Sequence, residues 1–194
     1  MLCVRYTNSM KSAAFNKLIA DAYSIAEKTV VVYARLLKEA GLMTTGARGR
    51  NAPDMTPMDA ARITISLLAS EKPTEAVEMC QRFRQLTHNY SYEVGEVVGC
   101  GDANFLEDIE HFLEAFFTGC SPQNAALERI EVNAELQNVR LTFAKGSTLF
   151  DGTADDVQAV YDEGRSDRLQ TIRALNVWTL NRIAVEFLKE QEAL

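Results

Sequence analysis

The residues of this chain able to do chemistry fall into three groups, and only one sits in a pattern that points to a function. There are two histidines, His88 and His111, and four cysteines, Cys3, Cys80, Cys100 and Cys120, with no C-x-x-C pair. Scattered thiols of this kind read as reduced, partly buried side chains rather than a metal set. An acidic cluster, Glu107, Asp108, Glu110 and Glu114 beside His111, has helical spacing and reads as a solvated face. A second set, Asp155, Asp156, Asp162 and Glu163, fits helix-terminal acids and carries no catalysis. No nucleophile stands beside a base, and Gly46-Ala-Arg-Gly-Arg50 lacks the lysine and hydroxyl of a phosphate-binding P-loop. We therefore expect no enzyme activity, no cofactor and no metal.

The third group is basic. Residues 1–50 hold eight cations against three anions, a net charge of +5, within a chain whose total is −7, so the remaining residues carry −12. A basic head on an acidic body attracts a polyanion at one end and repels it at the other, which orients the contact. Six residues of the head are the candidates for such a contact: Lys28, Thr29, Tyr33, Arg35, Arg48 and Arg50.

The elements that must position them are legible from periodicity and punctuation. Between Ser12 and Ile25, Ala14, Phe15, Leu18, Ile19, Ala22 and Tyr23 recur at three and four, the buried stripe of one helix or two short pieces. A second helix, about 26–40, carries Val30, Val31, Tyr33, Ala34, Leu36, Leu37 and Ala40 and stops at Gly41. Segment 44–56, with Gly46, Gly49, Asn51 and Pro53 around Arg48 and Arg50, is a loop or a β-wing. Thr56-Pro57-Met58-Asp59 has the form of a capping box opening a helix to about Ala69. Lys72-Pro73-Thr74 opens another, and Glu71 to Pro73 is the expected boundary between a domain of residues 1–70 and one of 71–194.

In the body, 90–101 reads as loop or short strand and 103–117 as a helix ending at Gly119. Alternating Ile130, Val132 and Ala134, then Val139, Leu141 and Phe143, suggests an antiparallel pair turning near Gln137-Asn138 or near Asn133. Gly146 and Gly152 bracket a loop, a short helix spans 153–164, and the longest amphipathic helix runs from Ser166 to Leu188. On it, Trp178 and Phe187 are either core or a dimer seam. The fold class is mainly α with a small β component, α+β. No run of about 18–20 apolar residues is present, so no membrane span is expected. The polar start of the chain lacks a secretory signal, and a cytoplasmic location is the default expectation.

The segment from Lys17 to Leu42, with small Ala20 and Ala22, a turn at Ser24-Ile25 and apolar Val30, followed by Ala40-Gly-Leu-Met and a glycine-rich basic run to Arg50, resembles the helix-turn-helix and wing of winged-helix regulators. The resemblance covers about residues 12–68 and departs from the pattern in having Ser24 where glycine is usual. It implies a double-stranded DNA-binding protein, a transcriptional regulator, with the second helix as recognition helix and the body serving oligomerisation or effector sensing. The small terminase subunits of tailed phages are similar in architecture and imply a DNA-recognition subunit of a ring. An acidic interaction adaptor, binding a basic partner through residues around Glu107 to Glu114, is the alternative from another class.

Overall fold

The structure is a computed structural model that describes residues 10–47, 51–93, 108–119, 127–144, 146–151 and 172–189. Among them it is α+β, with six α-helices, a short 3-10 turn and one antiparallel sheet. In chain order the elements are α1 (Ser12–Tyr23), α2 (Glu27–Glu39), α3 (Pro57–Ala69), the 3-10 turn (Pro73–Glu75), α4 (Ala76–Phe83), β1 (Thr87–Glu93), α5 (Ile109–Phe117), β2 (Leu127–Asn133), β3 (Asn138–Phe143), β4 (Gly146–Asp151), β5 (Ile172–Asn176) and α6 (Val177–Leu188).

The strands lie in the order β1-β4-β3-β2-β5, every neighbouring pair antiparallel. The β2–β3 hairpin forms where alternation placed it, with Asn133 opposite Asn138, Val132 opposite Val139 and Ile130 opposite Leu141. Its turn holds Gln137 at φ 52° and is closed by the Asn133 side chain, whose Oδ1 accepts from the Leu136 amide at 2.9 Å. A bulge between Leu127 and Arg129 resets the alternation, so that Leu127 is buried along with Ile130 and Val132.

Two expectations for this region are corrected. The stretch from Gly146, expected as loop, is strand β4, which pairs with both β1 and β3. The long helix expected from Ser166 does not include 172–176: these residues form β5 on the far side of β2, and Asn176 caps a shorter helix through the Thr179 amide at 3.2 Å. The expected start at Ser166 and the helix at 153–164 lie outside the described residues.

α3 is the axis of the packing. Its cap is the one the sequence spells: Thr56 Oγ1 accepts from the Asp59 amide at 3.1 Å and Asp59 Oδ2 accepts from the Thr56 amide at 2.7 Å, with Pro57 in the first turn. Buried residues lie all around it, from Ala60, Ala61 and Ile63 to Leu68 and Ala69, as expected for a helix covered on several sides. It touches α2, α4, α5, β2 and β5, and its two buried hydroxyls are satisfied, Thr64 by the Ala60 carbonyl and Tyr23, Ser66 by the Arg62 carbonyl. One apolar cluster runs from Met10, Phe15 and Val30 through Ile63 to Phe112, Ile130 and Phe187. Residues on either side of the expected 70/71 boundary therefore share a core.

Candidate nucleic-acid interface

The helix pair α1–α2 is built around a three-residue turn. Ser24 adopts φ 55° and ψ 41°, the left-handed conformation that glycine takes at such a turn, and the Ile25 amide donates back to the Ala20 carbonyl at 3.1 Å. Phe15, Ile19, Ala20 and Ala22 of α1 and Val30, Ala34 and Leu37 of α2 are all buried in the same cluster, the small alanines letting the two helices approach closely. A side chain in this conformation costs roughly 1 kcal/mol, partly offset by the entropy glycine would lose on folding. Ser24→Gly is expected to raise the midpoint of thermal unfolding by about 1–2 °C. A lower midpoint would contradict this account of the turn.

α2 spans Glu27–Glu39, within the bounds read from the sequence, and Gly41 follows at φ 71°. Lys28, Thr29 and Arg35 are exposed. Arg35 pairs only loosely with Glu39, at 3.7 Å with both side chains about two-thirds exposed, an arrangement worth little and readily exchanged. Lys28 makes no ion pair with any described residue. Ala26, extended at the N-cap, offers no capping side chain, so amides of the first turn are left for solvent or a partner.

Tyr33 is a correction. Expected among the contact residues, it is 3 % exposed and its hydroxyl donates to the Ser70 carbonyl at 3.3 Å. It fastens α2 to the end of α3 and is unavailable to a groove. Val31, expected on the apolar stripe of the same helix, is instead 44 % exposed on its outer surface.

Segment 44–56 holds no strand among its described residues, so it is a loop there; Arg48 and Arg50 lie outside the described residues. Its two stems are tied to one carboxylate. Asp59, 1 % exposed, accepts from the Thr44 amide and from the Thr56 amide, each at 2.7 Å. The Met55 amide donates to the Met10 carbonyl at 2.8 Å, and Lys11 reaches both the Ala52 carbonyl at 2.5 Å and Asp54 at 2.9 Å. A Cβ on Gly46 would lie 2.8 Å from the Pro53 ring, so glycine is what lets the stems close. Lys38, at the far end of α2, bonds Ser12 Oγ at 2.6 Å, and partial burial lowers its pKa against the opposing pull of Asp59.

Behind the helix pair lies a buried ionic network that sequence reading placed on the surface. Glu110, in the first turn of α5, is 2 % exposed. It is bound by Arg62 Nε of α3 and by Arg84 Nε at 2.6 Å, and Arg62 Nη1 also donates to the Leu42 carbonyl at 2.8 Å, just past the end of α2. The acidic cluster is thus not a uniform wet face. Asp108 is the N-cap of α5, bonding the His111 amide at 2.8 Å and its ring at 2.7 Å, which raises the His111 pKa. Glu114 is half-buried, its pKa raised by burial, and Glu107 lies outside the described residues. Among the described residues no group of three or more His, Cys, Asp or Glu is placed to hold a metal ion. Cys80 is buried with its pKa raised by burial, while Cys3, Cys100 and Cys120 lie outside the described residues.

On α6 the two aromatic residues part company: Phe187 is core and Trp178 is 75 % exposed, on a surface with Val185 and close in sequence to Ile172 of β5, both more than half exposed. No helix among the described residues is long and apolar enough to cross a membrane. No family model matches the chain, no curated protein matches its sequence, and no solved structure matches its fold at a significant level.

Proposed function

We propose that this chain binds double-stranded DNA, with α2 entering the major groove and loop 44–56 lying along the adjacent backbone, and that it acts as a transcriptional regulator. The observation that carries the reading is the outer surface of α2: a helix set by a tight turn and packed on α3 and α4 through its inner side, presenting Lys28, Thr29 and Arg35 outward without strong internal partners. The +5 charge of residues 1–50 supports the same orientation. Arg48 and Arg50, which lie in sequence between the two stems fixed by Asp59, would supply phosphate or minor-groove contacts. The exposed Trp178, Val185 and Ile172 support self-assembly of the body, which would bring two heads to two half-sites. The adaptor reading draws less support, because Glu110, in the middle of its acidic segment, is already taken by Arg62 and Arg84.

The test is a fluorescence anisotropy titration against a mixed-sequence duplex across a range of salt concentrations. Binding is expected to weaken steeply with salt, and Arg48→Ala/Arg50→Ala is expected to reduce the slope of log K against log salt by about 1.8, roughly 0.9 for each phosphate no longer neutralised. A folded wild-type sample that binds no duplex at low salt overturns the reading.

A further inference from the structure

Val31 is an apolar, β-branched side chain held 44 % exposed on α2 while the other apolar residues of that helix turn inward or are half covered. A β-branched residue is a poor choice for an exposed helix interior, since it loses side-chain freedom there and gains less from burial than a core position offers. Its neighbours give it a context. Lys28 lies one turn before it and Arg35 one turn after, so the three residues form a single stripe with an apolar centre and a cation at each end. Duplex DNA offers the complement: phosphates flank the major groove, and the one apolar group on its floor in unmodified DNA is the C5 methyl of thymine.

We propose that Val31 is a specificity-determining residue that packs on a thymine C5 methyl, while Lys28 and Arg35 anchor the helix to the flanking backbone. The inference rests on the DNA-binding reading above and adds the base it selects. The restricted rotamers of valine keep its two methyl groups in place, so little freedom is lost on contact. A 5-methylcytosine carries the same methyl at the same ring position and offers the same contact.

The test begins by enriching bound duplexes from a random pool with the wild-type protein. Each thymine of the enriched site is then replaced in turn by deoxyuridine, which removes only the methyl, and affinities are measured for wild type and Val31→Ala. At one thymine position the replacement is expected to weaken wild-type binding about fourfold, the worth of one buried methyl. Val31→Ala is expected to bind the thymine and uracil duplexes equally, which isolates the pairwise contact. A cytosine at that position should regain affinity for wild type when it is 5-methylated and not otherwise. Wild type that binds duplex but is indifferent to every methyl, or a Val31→Ala protein that keeps the full methyl effect, overturns this proposal alone. Wild type that binds no duplex overturns the DNA reading and this proposal with it. Alanine is the better helix former, and helical circular dichroism equal to wild type establishes that the variant is folded.

Discussion

Replacing Glu110 with alanine is expected to lower the free energy of unfolding by about 3–5 kcal/mol, a large part of the roughly 5–15 kcal/mol that a domain possesses. The size follows from what is left behind. Arg62 and Arg84 have side chains only 21 % and 29 % exposed, and each directs its Nε at the Glu110 carboxylate. Without it two guanidinium groups face each other in a poorly hydrated site. Arg62 also holds the Leu42 carbonyl, so the loss reaches the exit of α2. Urea denaturation of wild type and Glu110→Ala measures the cost. Glu110→Gln, which keeps an acceptor but no charge, should fall between the two. A Glu110→Ala protein within about 1 kcal/mol of wild type would show that water reaches the site and the network is marginal.

The second large effect is expected at Ile63. This residue is fully buried on α3, the helix that touches α2 on one side and α4, α5 and the sheet on others. Ile63→Ala removes three carbons from the middle of the shared cluster and is expected to cost about 2–5 kcal/mol, depending on how far the walls relax. The more informative prediction concerns where the loss is felt. If the cluster is one cooperative unit, the slowest-exchanging amides of α2 and of α6 should lose protection by the same amount in the variant. Loss confined to α2, or to α6, by a margin of more than about 1 kcal/mol would mean that residues 1–70 and 71–194 open separately.

Local chemistry made much of this fold readable. The capping box at Thr56 and Asp59 is a pair of groups three residues apart and needs no tertiary information, and the same is true of the left-handed stop at Gly41. β3, and β2 from Ile130 to Val132 beyond its bulge, show the alternation of strands covered on one face. What failed to show was set by distant partners. Ile172 and Leu175 are three apart and fit a helical stripe as well as a strand; pairing with β2 decides the matter. β4 has glycine at its start and just beyond its end, the local signature of a loop, yet it lies between two strands that saturate its backbone.

The candidate site divides in the same way. The helix, its turn and its exposed cations follow from spacing, but whether Tyr33 points in or out depends on the carbonyl of Ser70, 37 residues away. A tyrosine on the edge of an apolar stripe fits either position until that acceptor is known. Burial of Glu110 depends likewise on Arg62, 48 residues distant. A helical wheel carries no record of either.

One long-range contact bears on how the chain comes to be folded. Arg182 of α6 donates through Nη1 to the Asp21 carbonyl of α1 at 2.9 Å, across a sequence separation of 161 residues, and the two helices pack together. At ribosomal speeds of about 5–20 residues per second, α1 is made roughly ten to thirty seconds before the helix that covers it. Throughout that interval the nascent head has an uncovered flank. Its early survival then rests on the contacts already available to it, those of α1 with α2 and of both with α3, and the price of a weakened turn or a poorer α3 would be collected on the ribosome before any equilibrium measurement could register it.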